Sequence, residues 1–321
     1  MRVSGQSVAA AVLTAACLLP SWTAVEGQAP VPAPAGRGDA TAVLAAARQA
    51  LGGDKKLAAV KTLTATGRTR QVRGDNLVPI EFEIFIELPD KYVRKDEIPA
   101  QESGPNASGF NADALVQDPP PVMPPMPPGA PPDAANAAQQ RMSAARVTTL
   151  KQDFTRLTLG LFASSFASYP LTFTYIAEAE APQGKADVLE GKGPNNFTVR
   201  FFISRDTHLP IMVSWTAPAG RGMPPGRGAP GAGGAPGAPG APGAPGARGA
   251  RGAEGAPSAA APAPPTPPEN RIYFADYRDV DGMQFPFRLR RAVGADTIEE
   301  TTFDRFKVNG KIDPKRFEVR K

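Results

Sequence analysis

His208 is the only histidine among the 321 residues, and Cys17 the only cysteine. A side-chain nucleophile needs a base beside it, and a transition-metal site needs several nitrogen or sulfur ligands. One residue of each kind supplies neither. His208 stands in Asp206-Thr207-His208-Leu209-Pro210, at the start of an apolar run, and reads as a solvated turn residue. Carboxylates can do acid–base work alone, and Asp276, Asp279 and Asp281 crowd one segment. Turn chemistry accounts for acidic residues there, and the spacing of a calcium-binding EF-hand is absent. The chain carries neither a Gly-x-Ser-x-Gly elbow nor a Gly-x-x-x-x-Gly-Lys phosphate loop. Gly-x-Gly phrases within Arg221–Gly234 lie in low-complexity sequence without a flanking strand and helix. No catalytic residue, metal or cofactor is expected. A carboxylate hydrolase using Asp279 and Asp281 is the weakest of three functional readings.

The residues that remain are apolar and spaced by twos. In Val78–Leu88, Ile80, Phe82, Ile84, Ile86 and Leu88 alternate with Glu81, Glu83 and Glu87; Met283, Phe285, Phe287 and Leu289 repeat the pattern. Alternation of this length commits one face of a strand to burial. Phe82, Ile84, Ile86, Phe173, Tyr175, Val199, Phe201, Trp215, Phe285 and Phe287 are the candidates to line one concave surface. Such a face is either core beneath covering helices or the wall of a cavity. Apolar cavities stay dry and accept apolar guests, and each buried CH₂ of a guest contributes about 0.8 kcal/mol.

Two helices and many strands must position that face. Asp39 is placed to cap a helix over Ala40–Leu51, which Gly52-Gly53 ends. A second helix is expected over Ala134–Ala163, where Val147, Leu150, Phe154, Leu157 and Leu161 form one stripe. Strands are expected at Thr62–Val72, Val78–Leu88, Lys91–Glu97, Leu171–Ala179, Ala186–Glu190, Phe197–Ser204, Leu209–Trp215, Arg271–Tyr277, Met283–Arg290 and Thr297–Val308. Asp281-Gly282 and Asn309-Gly310 read as hairpin signals. Regular strand–helix–strand crossovers are missing, which argues against a parallel sheet. The expected class is α+β: a strongly curved antiparallel sheet of about nine to eleven strands, an incomplete β-barrel, wrapping two helices.

Val8–Leu19, behind Arg2 and ended by Pro20, reads as the apolar core of an export signal covering residues 1–27. It falls short of the roughly 20 apolar residues that span a bilayer. Cys17 in Thr14-Ala15-Ala16-Cys17 allows a lipid anchor as the less favoured reading, since the apolar run continues past it. Residues 28–38 are Pro-rich. A single domain is expected over 39–321, interrupted by Pro/Gly-rich flexible insertions at about 118–133 and 217–269. The second insertion holds eight Gly-Ala-X triplets from Gly234 to Gly255, few for a collagen helix and tethered at both ends. The net charge of +5 owes much to Arg221, Arg227, Arg248 and Arg251 in that segment. A nucleic-acid binder would place its basic residues on a folded face among aromatics, so none is expected as a partner.

Four phrases resemble the periplasmic lipoprotein carrier superfamily, the LolA/LolB-like or outer-membrane lipoprotein-sorting proteins. They are the opening helix with "ALGG" and "LAAVKTLTATG", then "ELPDKYVRKDE", "YRDVDGMQFPFRL" and the terminal "FKVNGKIDPKRFEV". The resemblance covers about 170 residues outside the leader and the insertions. It implies a half-open β-barrel closed by helices, with an apolar cavity that shields acyl chains, and brings no catalytic residues. The leading expectation is a monomeric, exported, periplasmic binder of the acyl chains of lipids or lipoproteins, with transient membrane or envelope-protein contacts. The alternative is an envelope scaffold or sensor acting through its Pro-rich segments.

Overall fold

The computed structural model describes residues 38–74, 76–99, 101, 104–121, 132–181, 184–216 and 267–318. The expected export signal, Cys17 and the low-complexity stretches 122–131 and 217–266 lie outside the described residues. The chain opens with helices α1 (Ala40–Ala50) and α2 (Asp54–Ala58). Strands β1 (Thr62–Arg73), β2 (Asn76–Glu87), β3 (Lys91–Glu97), β4 (Asn106–Asn111) and β5 (Ala114–Asp118) follow. Helix α3 (Pro132–Phe162) leads to β6 (Thr172–Ala181), β7 (Gly184–Gly193), β8 (Phe197–Ser204) and β9 (Pro210–Thr216). Strands β10 (Glu269–Val280), β11 (Met283–Val293) and β12 (Asp296–Val308) complete the set, before a 3-10 turn at Pro314–Phe317.

The twelve strands of the described residues form one antiparallel sheet in the order β5-β4-β3-β2-β1-β12-β11-β10-β9-β8-β7-β6. Neighbours in sequence are neighbours in space except at the centre, where β1 pairs with β12 from Leu63↔Val308 to Gln71↔Glu299. The outermost strands β5 and β6 do not pair with each other, so the sheet stays open. The expected α+β class stands, with β4 and β5 raising the strand count above the range read from the sequence. Asp118 closes β5 and Pro132 opens α3. Glu269 likewise opens β10. Asn309-Gly310 makes no hairpin: among the described residues no strand follows β12. Instead the Asn309 side chain accepts from the Lys61 backbone N–H at 2.7 Å and donates to the Ala59 carbonyl at 3.1 Å. It ties the end of β12 to the start of β1.

Local chemistry explains the entry into the sheet. Asp39 Oδ1 accepts from the Thr41 N–H at 2.9 Å, capping α1 as expected. Leu44, Ala47 and Leu51 then face inward. Gly52 turns the chain at φ 129°, where a Cβ would sit 2.8 Å from the Gly282 carbonyl oxygen. That approach lets the Gln284 N–H donate to the Leu51 carbonyl at 2.9 Å and Lys56 Nζ to the Gly282 carbonyl at 3.0 Å. The first helix pair is thereby fastened to the β10–β11 hairpin.

Helix α3 reveals the bend of the sheet. Its Phe154 meets Phe110 of β4 at 5.5 Å, while Arg156, two residues on, lies 4.8 Å over Phe197 of β8. Those strands stand eight places apart in the sheet, roughly 38 Å if it were flat. Only a sheet curled around the helix brings both flanks to one turn of it. Thus α3 runs inside a half-barrel. A second, smaller apolar cluster lies on the outer face, where Phe85, Val93 and Val116 are covered by Phe317.

Candidate functional site

The ten sequence-predicted residues share the inner face. Strand register sets Phe82, Ile84 and Ile86 of β2 opposite Asp96, Arg94 and Tyr92 of β3. Phe201 pairs with Leu189 and Val213, and Phe173 and Tyr175 extend the row along β6. Phe82, Ile84, Ile86, Val199, Phe201, Phe285 and Phe287 are buried; Phe173, Tyr175 and Trp215 are partly so. The aromatic rings form a continuous array. Phe285 stacks on Phe306 at 4.9 Å, Phe287 meets Phe306 edge-on at 5.2 Å, and Phe82 meets Phe303 edge-on at 5.4 Å.

In this structure α3 occupies that face. Phe162 sits edge-on to Phe285 at 6.1 Å, and Phe154 packs between Tyr92 and Phe110 at 5.2 and 5.5 Å. Gly160 lies so close to the Phe274 ring that any Cβ there would overlap it. The Tyr277 hydroxyl reaches two carbonyls, Pro210 at 2.8 Å and Gly160 at 3.2 Å, and its one proton serves them both. Burial pushes the Tyr277 phenol well above the usual tyrosine range, and burial pushes Tyr92 up as well. The helix is divided along its length. Residues 133–146 are exposed or half-exposed, whereas Phe154, Thr155, Arg156 and Thr158–Phe162 are buried.

A polar band crosses the same inner face. Arg94 Nε donates to Asp96 Oδ1 at 2.7 Å, and its Nη2 donates to Thr69 Oγ1 at 3.2 Å. Thr69 and Thr301 share a hydroxyl hydrogen bond of 2.8 Å, and Thr301 Oγ1 donates to Glu299 Oε1 at 3.4 Å. Burial would lower the Arg94 pKa, but Asp96 and then Glu299 outweigh it and hold it up. This band of alternating donors and acceptors is internally paired. It rigidifies β3, β1 and β12 across the centre of the sheet.

The residues first considered for chemistry lie elsewhere. His208 is exposed, at φ 57° in the turn before β9. Asp279 Oδ1 accepts from the Gly282 N–H at 3.1 Å, as turn chemistry requires, and Asp276 pairs with Arg278 at 2.5 Å. Among the described residues no three His, Cys, Asp or Glu side chains converge as metal ligands. Two surface depressions, of about 550 and 180 Å³, lie mainly on the outer face, and of the ten residues only Phe82 borders either. Arg156 is the inner-face residue that the sequence reading missed. It stands outside the apolar stripe of α3, yet its side chain is 8 % exposed.

Fold and site together define an open antiparallel half-barrel with an aromatic inner face closed by a helix. No family model matches the chain, and no curated protein does. Among solved structures, it is similar to a LolA superfamily protein from Nitrosomonas europaea at 12% identity, covering 87% of this chain and 97% of that one, with a TM-score of 0.48. It is similar also to a domain assigned to outer membrane lipoprotein sorting from Vibrio parahaemolyticus: 7% identity, coverage of 85% and 95%, TM-score 0.43. A DUF1329 family protein from Desulfovibrio piger aligns at 7% identity, with coverage of 87% and 96% and a TM-score of 0.40.

Proposed function

We propose that this chain is a non-catalytic carrier of the cell envelope that shelters the acyl chains of lipids or lipoproteins on its inner sheet face. The observation that carries the reading is the division of α3. Its buried end supplies apolar side chains to an aromatic wall, while residues 133–146 of the same helix are exposed or half-exposed. An acyl chain offers that wall the same kind of contact, at about 0.8 kcal/mol per buried CH₂. A guest therefore enters by exchanging with the last turn of α3, Thr158–Phe162, not by filling a ready-made void. Likeness of the sequence phrases to the lipoprotein carriers points the same way. An exported location rests on the leader expected over residues 1–27, and no helix among the described residues is long and apolar enough to cross a membrane.

Native mass spectrometry of the purified mature chain, with uptake of a fluorescent fatty acid, tests the reading. Retained lipid or saturable uptake is expected. If neither lipid, fatty acid nor lipopeptide binds, the carrier reading is wrong.

One observation favours a second reading, a scaffold acting through its Pro-rich segments. Thr216 and Glu269 are direct cross-strand partners, so the sequence between them leaves and re-enters the sheet at one place. Replacing 218–267 by a short Gly-Ser turn should preserve the fold and lipid uptake in a carrier. In a scaffold the same variant folds but loses its partners in a pull-down.

A further inference from the structure

Arg156 is a cation buried at the inner face. Its guanidinium carbon lies 4.1 Å from the Trp215 ring centroid and 4.8 Å from that of Phe197, so aromatic rings border it on two sides. Asp153, one turn earlier on α3, accepts from Nη1 at 2.9 Å. Nε is buried with no hydrogen-bond partner, and among the described residues Asp153 is the only side chain paired with this cation. Burial lowers the pKa of Arg156, Asp153 opposes that, and the nearby Arg291 adds to the lowering. A buried N–H without an acceptor is costly in a folded protein, more so on a charged group. Arginine normally uses such an edge to fork a carboxylate or a phosphate.

Resting on the carrier reading, we propose that Arg156 is the head-group anchor of the inner face, taking the oxyanion of an acyl-chain amphiphile between Trp215 and Phe197. Trp215 and Phe197 restrict the approach to the guanidinium, and Asp153 takes one N–H, so the Nε edge is left for an incoming acceptor. A carboxylate or a phosphate monoester fits that edge; a hydroxyl head brings no charge to it. The chain behind the head would run along Val199 and Phe201 towards Phe285, over the surface that the end of α3 now covers. Arg291 raises the positive potential at the head, and Asp153, whose side chain is 44 % exposed, competes with the ligand.

The test uses the mature chain and two matched pairs of competitors against a fluorescent fatty acid. Oleate is compared with oleyl alcohol, and oleoyl lysophosphatidate with mono-oleoylglycerol. The anionic member of at least one pair should bind about tenfold more tightly, and which pair does so separates a carboxylate source from a phosphate source. Arg156→Gln should abolish the preference, read as the ratio of affinities within each pair on the folded variant. Asp153→Asn, a change at a half-exposed side chain, should enlarge the preference, which keeps the idea testable if Arg156→Gln does not fold. Equal binding within both pairs overturns the anchor and leaves the carrier standing, as does a preference that survives Arg156→Gln or shrinks in Asp153→Asn. Failure of all four competitors and the probe to bind overturns the carrier as well.

Discussion

Phe285 has no exposed surface, and its ring is held between Phe306 and Phe162. Pro286 follows it, which keeps its backbone extended and the ring aimed at the inner face. The alternation around Phe285 left two environments open, plain core or cavity wall, and the structure puts α3 against it. Phe285→Ala should therefore destabilise by about 3–5 kcal/mol, as for a packed core phenylalanine. Denaturant titration checks this; a loss under about 1 kcal/mol would mean that the ring borders open space. That the ten apolar candidates share one face was legible, because period-two alternation reports which face is greasy. Arg156 was not. A cation outside the stripe of an amphipathic helix reads as solvated, and only the curling of the sheet around α3 buries it. The one available signal was Thr158–Phe162, where Leu159, Leu161 and Phe162 are apolar on more than one side of the helix.

At the scale of elements, the sequence named the first three strands and the last seven to within a few residues. Strands β4 and β5 escaped it for identifiable reasons. Asn106–Asn111 carries one large apolar residue, Phe110, and Gly109 is small because the Val93 side chain and Tyr92 carbonyl leave a Cβ no room. Their turn places Ala112 at φ 51°, a conformation that Asn or Gly usually advertises. The decisive element for function is α3, whose close seat depends on Gly160. Gly160→Ala forces a methyl into the Phe274 ring and should cost about 1–3 kcal/mol. Because the methyl lifts only the helix, lipid uptake per folded molecule should rise. Urea unfolding and fluorescent fatty-acid uptake on one preparation read both effects, and unchanged or reduced uptake would show that α3 does not yield to a guest.

For the whole molecule, two buried phenols couple stability to alkaline pH. Tyr92 and Tyr277 keep their protons in the folded state beyond the ordinary tyrosine pKa, which is about 10. Above that pH the unfolded chain releases protons that the folded chain retains, so stability falls as pH rises; below it the contribution is complete. The denaturation midpoint should be level up to about pH 9 and drop steeply beyond about pH 10. Two of the five tyrosines should ionise only as the protein unfolds, seen in tyrosinate absorbance. Tyr92→Phe with Tyr277→Phe should flatten the decline, and an unaltered decline would assign it to other groups.

The central pairing of β1 with β12 carries a kinetic consequence. Every other strand pairing joins neighbours in the chain, and β1 to β5 and β6 to β12 can each zip up locally. Lys61 and Asn309 meet across 248 residues, and closing a loop of that length costs about 5 kcal/mol by the logarithmic rule. That contact therefore belongs late in folding, after two half-sheets exist. Until then, β1 waits with an open edge while the last strand is still being made. The meeting of the two halves therefore comes late in acquiring the half-barrel, and the β1–β12 ladder with its Asn309 clamp then joins them.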